Sequence, residues 1–129
     1  MRNFTKSMFA VLAVLAALAA TDITAHAAGA IAIGRCDRAG YSFDQPTPGI
    51  AASRALAQCR NYGDRSCSVV VRMQRVCGAI AVSGRGGCGA RGWAFGGSRA
   101  LAEGIALGEC RRHGGRDCRI ELWVCDASP

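Results

Sequence analysis

Two stretches decide how this chain is organised: RALAQCRNYGDRSCSVVV, residues 54–71, and IALGECRRHGGRDCRIEL, residues 105–122. Each position in the second lies 51 residues after its match in the first, and the cysteines stay in step. The likeness runs outward from there. GAIAIG (29–34) returns as GAIAVS (78–83), and CDRAGYSF (36–43) returns as CGARGWAF (88–95). Thr47 falls on Ser98, Cys59 on Cys110 and Cys67 on Cys118, while Cys77 and Cys125 close the two units. A unit of roughly fifty residues said twice is too short an array for a solenoid, so the repeat points to one pseudo-twofold domain.

Each unit reads strand, strand, helix, strand. In the first strand Ile31 and Ile33 share one face, as do Ile80 and Val82, because side chains alternate. Alanines fill the other face, which leaves room for close packing. A glycine-rich turn leads to a short aromatic strand around Tyr41–Phe43 or Trp93–Phe95. Thr47-Pro48 then starts a helix, with threonine as cap and proline in the first turn, and Ser98 takes the capping place in the second unit. Ala52, Ala55, Leu56 and Cys59 lie at helical spacing on one face. Gly63 and Gly114 stand where a left-handed residue ends a helix. In the last strand Val69, Val71 and Met73 alternate with Ser68, Val70 and Arg72, matched by Ile120, Leu122 and Val124 against Arg119, Glu121 and Trp123. The expected class is α+β: two pseudo-symmetric strand-strand-helix-strand repeats forming a mostly antiparallel sheet, with two helices on one face and disulfides as staples.

The N-terminus has a different character. Arg2 and Lys6 precede an apolar run from Met8 to Ala20, and Ala25-His26-Ala27 comes next. That is the three-part form of a secretory signal. The run is shorter than the ~20 residues of a spanning helix. Residues 1–27 are therefore expected to be a signal peptide and 28–129 a single domain, with repeat one at 28–77 and repeat two at 78–125. No membrane span is expected after cleavage, and the product should be exported, to the periplasm or beyond the cell. The formal charge of +7 becomes +6 without Arg2, Lys6 and Asp22, and every remaining cation is arginine.

All eight cysteines, Cys36, Cys59, Cys67, Cys77, Cys88, Cys110, Cys118 and Cys125, lie beyond the leader. An even count in a small exported chain reads as disulfides. Zinc prefers closer pairs or histidines, and His113 is the one histidine beyond the leader, so no metal is expected. Helix end and strand start bring Cys59 to Cys67 and Cys110 to Cys118, each closing a loop worth about 2.5 kcal/mol. The other four are left open between three pairings. Cys36–Cys77 with Cys88–Cys125 keeps each copy to itself and is the one favoured; Cys36–Cys125 with Cys77–Cys88 exchanges between copies.

The doubled GAIAxx, glycine–aromatic, ALxxC and C-x7-C pattern resembles the bacterial domain-of-unknown-function family 4189 over about residues 28–125. Cys36 and Cys88 depart from the usual pattern. The resemblance implies a small exported protein of this fold, without an assigned activity.

Chemistry-bearing residues are sparse. His113 comes after Arg111-Arg112 at a helix end with no visible partner for base catalysis. Ser98 in GGSRA lacks the G-x-S-x-G frame of a nucleophile. Asp44, Glu103 and Asp117 are separated acids, and GRGGCGARGWAFGG (84–97) lacks the lysine of a phosphate loop. No catalytic residue and no cofactor is assigned. Arg60, Arg65, Arg111, Arg112 and Arg116 occupy matching turns, where a twofold could gather them into a patch for acidic ligands. Trp123 is the other candidate, as an exposed recognition residue or as core. The expected function is a non-enzymatic binding module for an acidic envelope component or a secreted protein. The alternatives are an inhibitor that plugs a secreted hydrolase with loop 84–92, and an unidentified small enzyme. Nucleic acid is not an expected partner, since no reader motif is present.

Overall fold

The computed structural model describes residues 27–126. The segment read as a leader, up to residue 26, lies outside the described residues. The described chain forms six strands and two helices: β1 (Ala28–Ile33), β2 (Ala39–Gln45), α1 (Pro48–Arg60), β3 (Ser68–Gln74), β4 (Cys77–Val82), β5 (Arg91–Gly96), α2 (Arg99–Arg112) and β6 (Arg119–Cys125), with a short 3-10 turn at Arg85–Gly87. The strands form two antiparallel three-stranded sheets, ordered β2-β1-β3 and β5-β4-β6. The α+β class and the repeated arrangement are as the sequence indicates. The division into two sheets, with a helix outside each, differs from one sheet carrying both helices on one face.

The composition of the central strands explains the four layers. β1 and β4 are buried along their whole length. Their isoleucine face and their alanine face must both be covered. Ile31, Ile33, Val71 and Met73 of one sheet meet Ile80, Val82 and Val124 of the other in a shared aliphatic core. Ala28, Ala30 and Ala32 face away from that core and pack on Ala51, Ala55 and Cys59 of α1. Ala79 and Ala81 do the same with Ala102, Ala106 and Cys110 of α2. Alanine against alanine lets each helix lie close to its sheet. The buried helix stripe is Ala51, Ala55 and Cys59, with Ala52 and Leu56 at its margin.

The caps fall where expected. Thr47 Oγ1 accepts the Ile50 N–H and Ser98 Oγ accepts the Leu101 N–H, both at 3.2 Å. Gly63 and Gly114 end the helices at φ +81° and +94°, the left-handed region that glycine enters without Cβ strain.

Strict alternation fails in the outer strands β3 and β6, at the same place in both. The register jumps between Ile31 and Ala32, and between Ile80 and Ala81. A bulge adds a residue and turns the next part of the strand to the other face. Val71 and Met73 therefore enter the core between the sheets, whereas Val69 packs under α1. Likewise Leu122 and Val124 face the other sheet, whereas Ile120 lies under α2.

Four disulfides close the structure. Cys59–Cys67 and Cys110–Cys118 pair as expected. The other four take neither the favoured pairing nor the exchanged one, but the third: Cys36 joins Cys88 and Cys77 joins Cys125. Cys36 and Cys88 are equivalent in the repeat, so that bridge sits where the two halves face each other. Cys77 opens β4 opposite Cys125 in β6, in the place that Ala28 and Gln74 hold in the first half. The second half thus carries a cross-strand staple that the first lacks.

Carboxylates pin the ends of the strands, a buried one in the first half. Asp64 accepts the Arg35 N–H, and its other oxygen accepts the Ser66 N–H and hydroxyl. Those donors, the Arg35 N–H foremost, hold its pKa down at about 2 from 3.8. The folded value lies below the unfolded one, so the stabilisation is present above about pH 4 and disappears as pH falls towards 2. The thermal midpoint of Asp64→Asn should lie below that of the parent at pH 6, and the gap should close between pH 4 and pH 2. Thermal scans across that range check it, and a gap independent of pH would contradict the assignment. In the second half Asp117 does the equivalent work from a different position, accepting the Gly84 N–H at 3.0 Å.

Candidate functional site

The two helix-to-strand turns, where the candidate arginines lie, end up at the same end of the molecule. The first turn is tied to the β1–β2 connection by Asp64 with Arg35, and by Arg38 donating to the Tyr62 carbonyl. The second is tied to the β4–β5 connection by Asp117 with Gly84, by Arg119 with the Gly84 carbonyl, and by His113 Nδ1 at 3.0 Å from the Arg91 carbonyl. Cys36–Cys88 then joins the two connections, Arg91 donates to the Gly34 carbonyl, and Gly87 packs on Asp37. Arg60 and Arg65 from one half and Arg111, Arg112 and Arg116 from the other are all exposed there. Arg35, Arg38, Arg85 and Arg119 add to the same end.

Three of the acids nearby are engaged, while Asp37 is exposed in the β1–β2 connection. Asp64 is turned inward onto backbone donors, Asp117 lies 3.9 Å from Arg119, and Glu109 pairs with Arg112 at 2.9 Å. The end therefore presents a surplus of guanidinium groups, each a planar donor fork suited to carboxylate, sulfate or phosphate oxygens. Beside it a recess of 460 Å³ is lined by Arg38, Tyr41, Tyr62, Gln58 and Glu121 among others. In loop 84–92 Arg85, Gly86, Cys88 and Gly89 are exposed, and Gly87 is buried against Asp37 of the facing turn. His113 is exposed at the end of α2.

Trp123 is not part of this end. It pairs with Ala79, on the helix side of its sheet, but lies beyond the first turn of α2 and so stays 41% exposed. Arg99, the first residue of α2, lays its guanidinium over the indole at 3.9 Å. The sequence reading singles out Trp123 and misses Arg99. The shared offset of 51 residues could have placed both, because Arg72 and Pro48 are their counterparts in the first half.

Asp126 closes the last strand. Its N–H donates to the Val76 carbonyl, and its Oδ1 accepts the Val76 N–H at 2.6 Å. Oδ2 is buried with no partner among the described residues, and burial raises the pKa of the carboxyl.

A small disulfide-bonded α+β domain made of two like halves, with an arginine-rich end, is the class that fold and surface define. The chain belongs to the DUF4189 family: the model of that domain of unknown function matches residues 28–125. Among solved structures it is similar to the NMR structure of Rv1813c from Mycobacterium tuberculosis, at 31% identity and a TM-score of 0.53, covering 78% of this chain and 75% of that one. No curated protein matches the sequence. No helix among the described residues is long and apolar enough to cross a membrane.

Proposed function

We propose that this protein is an exported, non-enzymatic binding module whose arginine-rich end takes an anionic component of the cell envelope or the extracellular space. The observation that carries the reading is that exposed arginines of both helix-to-strand turns lie at the end closed by Cys36–Cys88. Clustered charge of one sign raises the local concentration of an oppositely charged ligand, and salt screens the attraction within ~10 Å at 0.1 M. The disulfide framework suits an oxidising compartment and keeps both turns in fixed positions.

Retention on immobilised heparin tests this reading with a defined polyanion. Residues 28–129 should bind at low salt and elute as salt rises. Changing Arg65, Arg111 and Arg116 together to serine should lower the eluting salt concentration markedly. The same number of charges removed at Arg54, Arg72 and Arg75, away from that end, should lower it much less. Equal losses from the two triple variants would show that net charge alone governs retention and would sink the proposal.

A further inference from the structure

We propose that the cleft between β2, the β3–β4 turn and the start of α2 is a second binding site, selective for a monoanionic organic acid with an apolar body. The site goes beyond the arginine-rich end and lies at the opposite end of the strands. Its volume is 490 Å³, within the range of small-molecule sites. Phe43, Val76 and Trp123 supply apolar wall, Arg75 and Arg99 supply positive charge, and Asp44 is the acid among its lining residues. Glu103 pairs with Arg99 from outside the lining, so the acids balance the two arginines, and the fit to a single carboxylate rests on the edge of the Arg99 guanidinium that Glu103 leaves open.

Arg99 is the group built for recognition. Its plane rests on the Trp123 indole, and its Nε donates to Glu103 Oε1 at 2.7 Å. Those two contacts fix the guanidinium and leave both Nη groups without a partner among the described residues. A guanidinium already in contact with the indole and with Glu103 gives up less side-chain freedom when a carboxylate makes two parallel N–H···O bonds to its open edge. Ser98, the cap of α2, also lines the cleft, so the positive end of the helix dipole adds to the same field.

The twofold likeness shows that the fold does not require this stack. The corresponding cleft in the other half is lined by Phe95, Pro48 and Arg72. Phe95 matches Phe43, but Pro48 and Arg72 stand where Arg99 and Trp123 stand. The same frame is therefore packed without a tryptophan and without a stacked arginine. The second half has left a tryptophan 41% exposed at the cleft where the first half needs none.

The two tryptophans make the test direct. Trp93 pairs with Ile80 and Trp123 with Ala79, so their indoles lie on opposite faces of one sheet. Proton–nitrogen correlation spectra of residues 28–129 are recorded while phenylbutyrate is added, and again with phenylbutyramide, which has the same body without the charge. The Trp123 indole signal and the Gly97 amide should move saturably with phenylbutyrate, while the Trp93 indole stays still. The amide should bind about tenfold more weakly, and Arg99→Gln should weaken phenylbutyrate by a similar factor. Signal dispersion reports in the same spectra that the variant is folded. The triple variant at Arg65, Arg111 and Arg116 should bind phenylbutyrate as the parent does, which separates this site from the polyanion site. Equal binding of acid and amide, unchanged binding by Arg99→Gln, or shifts that track Trp93 would each overturn the proposal.

Discussion

Gly92→Ala should lower the thermal midpoint by roughly 15 °C, and Gly40→Ala by a similar amount. Each glycine precedes the aromatic residue of its strand, and each lies where a helix crosses the sheet. A Cβ on Gly92 would run into the Ala106 carbonyl and the Cys110 backbone nitrogen; one on Gly40 would meet the Ala55 carbonyl and the Cys59 nitrogen. All four contacts fall inside the 3.0 Å that real Cβ atoms respect. The obstacles are backbone atoms of a helix held by Cys59–Cys67 or Cys110–Cys118, so the neighbour cannot swing aside. The expected cost is about 3 kcal/mol, the upper part of the overpacking range. Gly63→Ala is the fitting contrast. It sits at φ +81° with open space around it, so only the left-handed backbone penalty of about 1 kcal/mol applies. Thermal unfolding of the three variants checks the order, and a Gly92→Ala variant as stable as Gly63→Ala would show that the helix can retreat from the sheet.

Removal of the bridge between the halves is the other large effect. Cys36→Ala with Cys88→Ala opens a loop set by a sequence separation of 52, whereas Cys59→Ala with Cys67→Ala opens one set by a separation of 8. Chain entropy assigns about 4 kcal/mol to the first and about 2.5 kcal/mol to the second. Against a typical net stability of about 5–15 kcal/mol, the first loss is severe. Unfolding free energies extrapolated from denaturant curves should differ in that order, with steeper slopes for both variants because each unfolded chain is less compact without its bridge. A smaller loss from the Cys36/Cys88 variant than from the Cys59/Cys67 variant would mean that the unfolded chain already holds the halves together.

Much of this architecture is legible in the residues. The offset of 51 positions gives the repeat, Thr47 and Ser98 give the helix starts, Gly63 and Gly114 give their ends, and the short spacing gives two disulfides. What escapes is which layer each apolar face meets. Ile31 and Ala30 show that β1 is apolar on both sides, and a strand covered on both sides needs two partners. Alternation alone does not say that one partner is the other sheet. The bulges hide in the same way, because Val69, Val71 and Met73 look like one face until the register slips. The long disulfides escape for a reason of symmetry. Pairing within copies, or by exchange between unlike positions, overlooks that a residue close to a twofold axis meets its own counterpart, as Cys36 meets Cys88. Trp123 is visible as a candidate, but its partnership with Arg99 depends on where α2 begins relative to the end of β6.

The place of Cys36–Cys88 has an implication for the kind of object this domain is. A bond between equivalent positions is the bond that would join two separate copies of one half into a covalent homodimer. The contact between the sheets then has the logic of a subunit interface: self-complementary, aliphatic and shared equally by both sides. The peptide from Gln74 to Cys77 fuses what would otherwise be two protomers. A single chain lets the two halves carry different residues at matching positions, as the tryptophan and the extra cystine of the second half do.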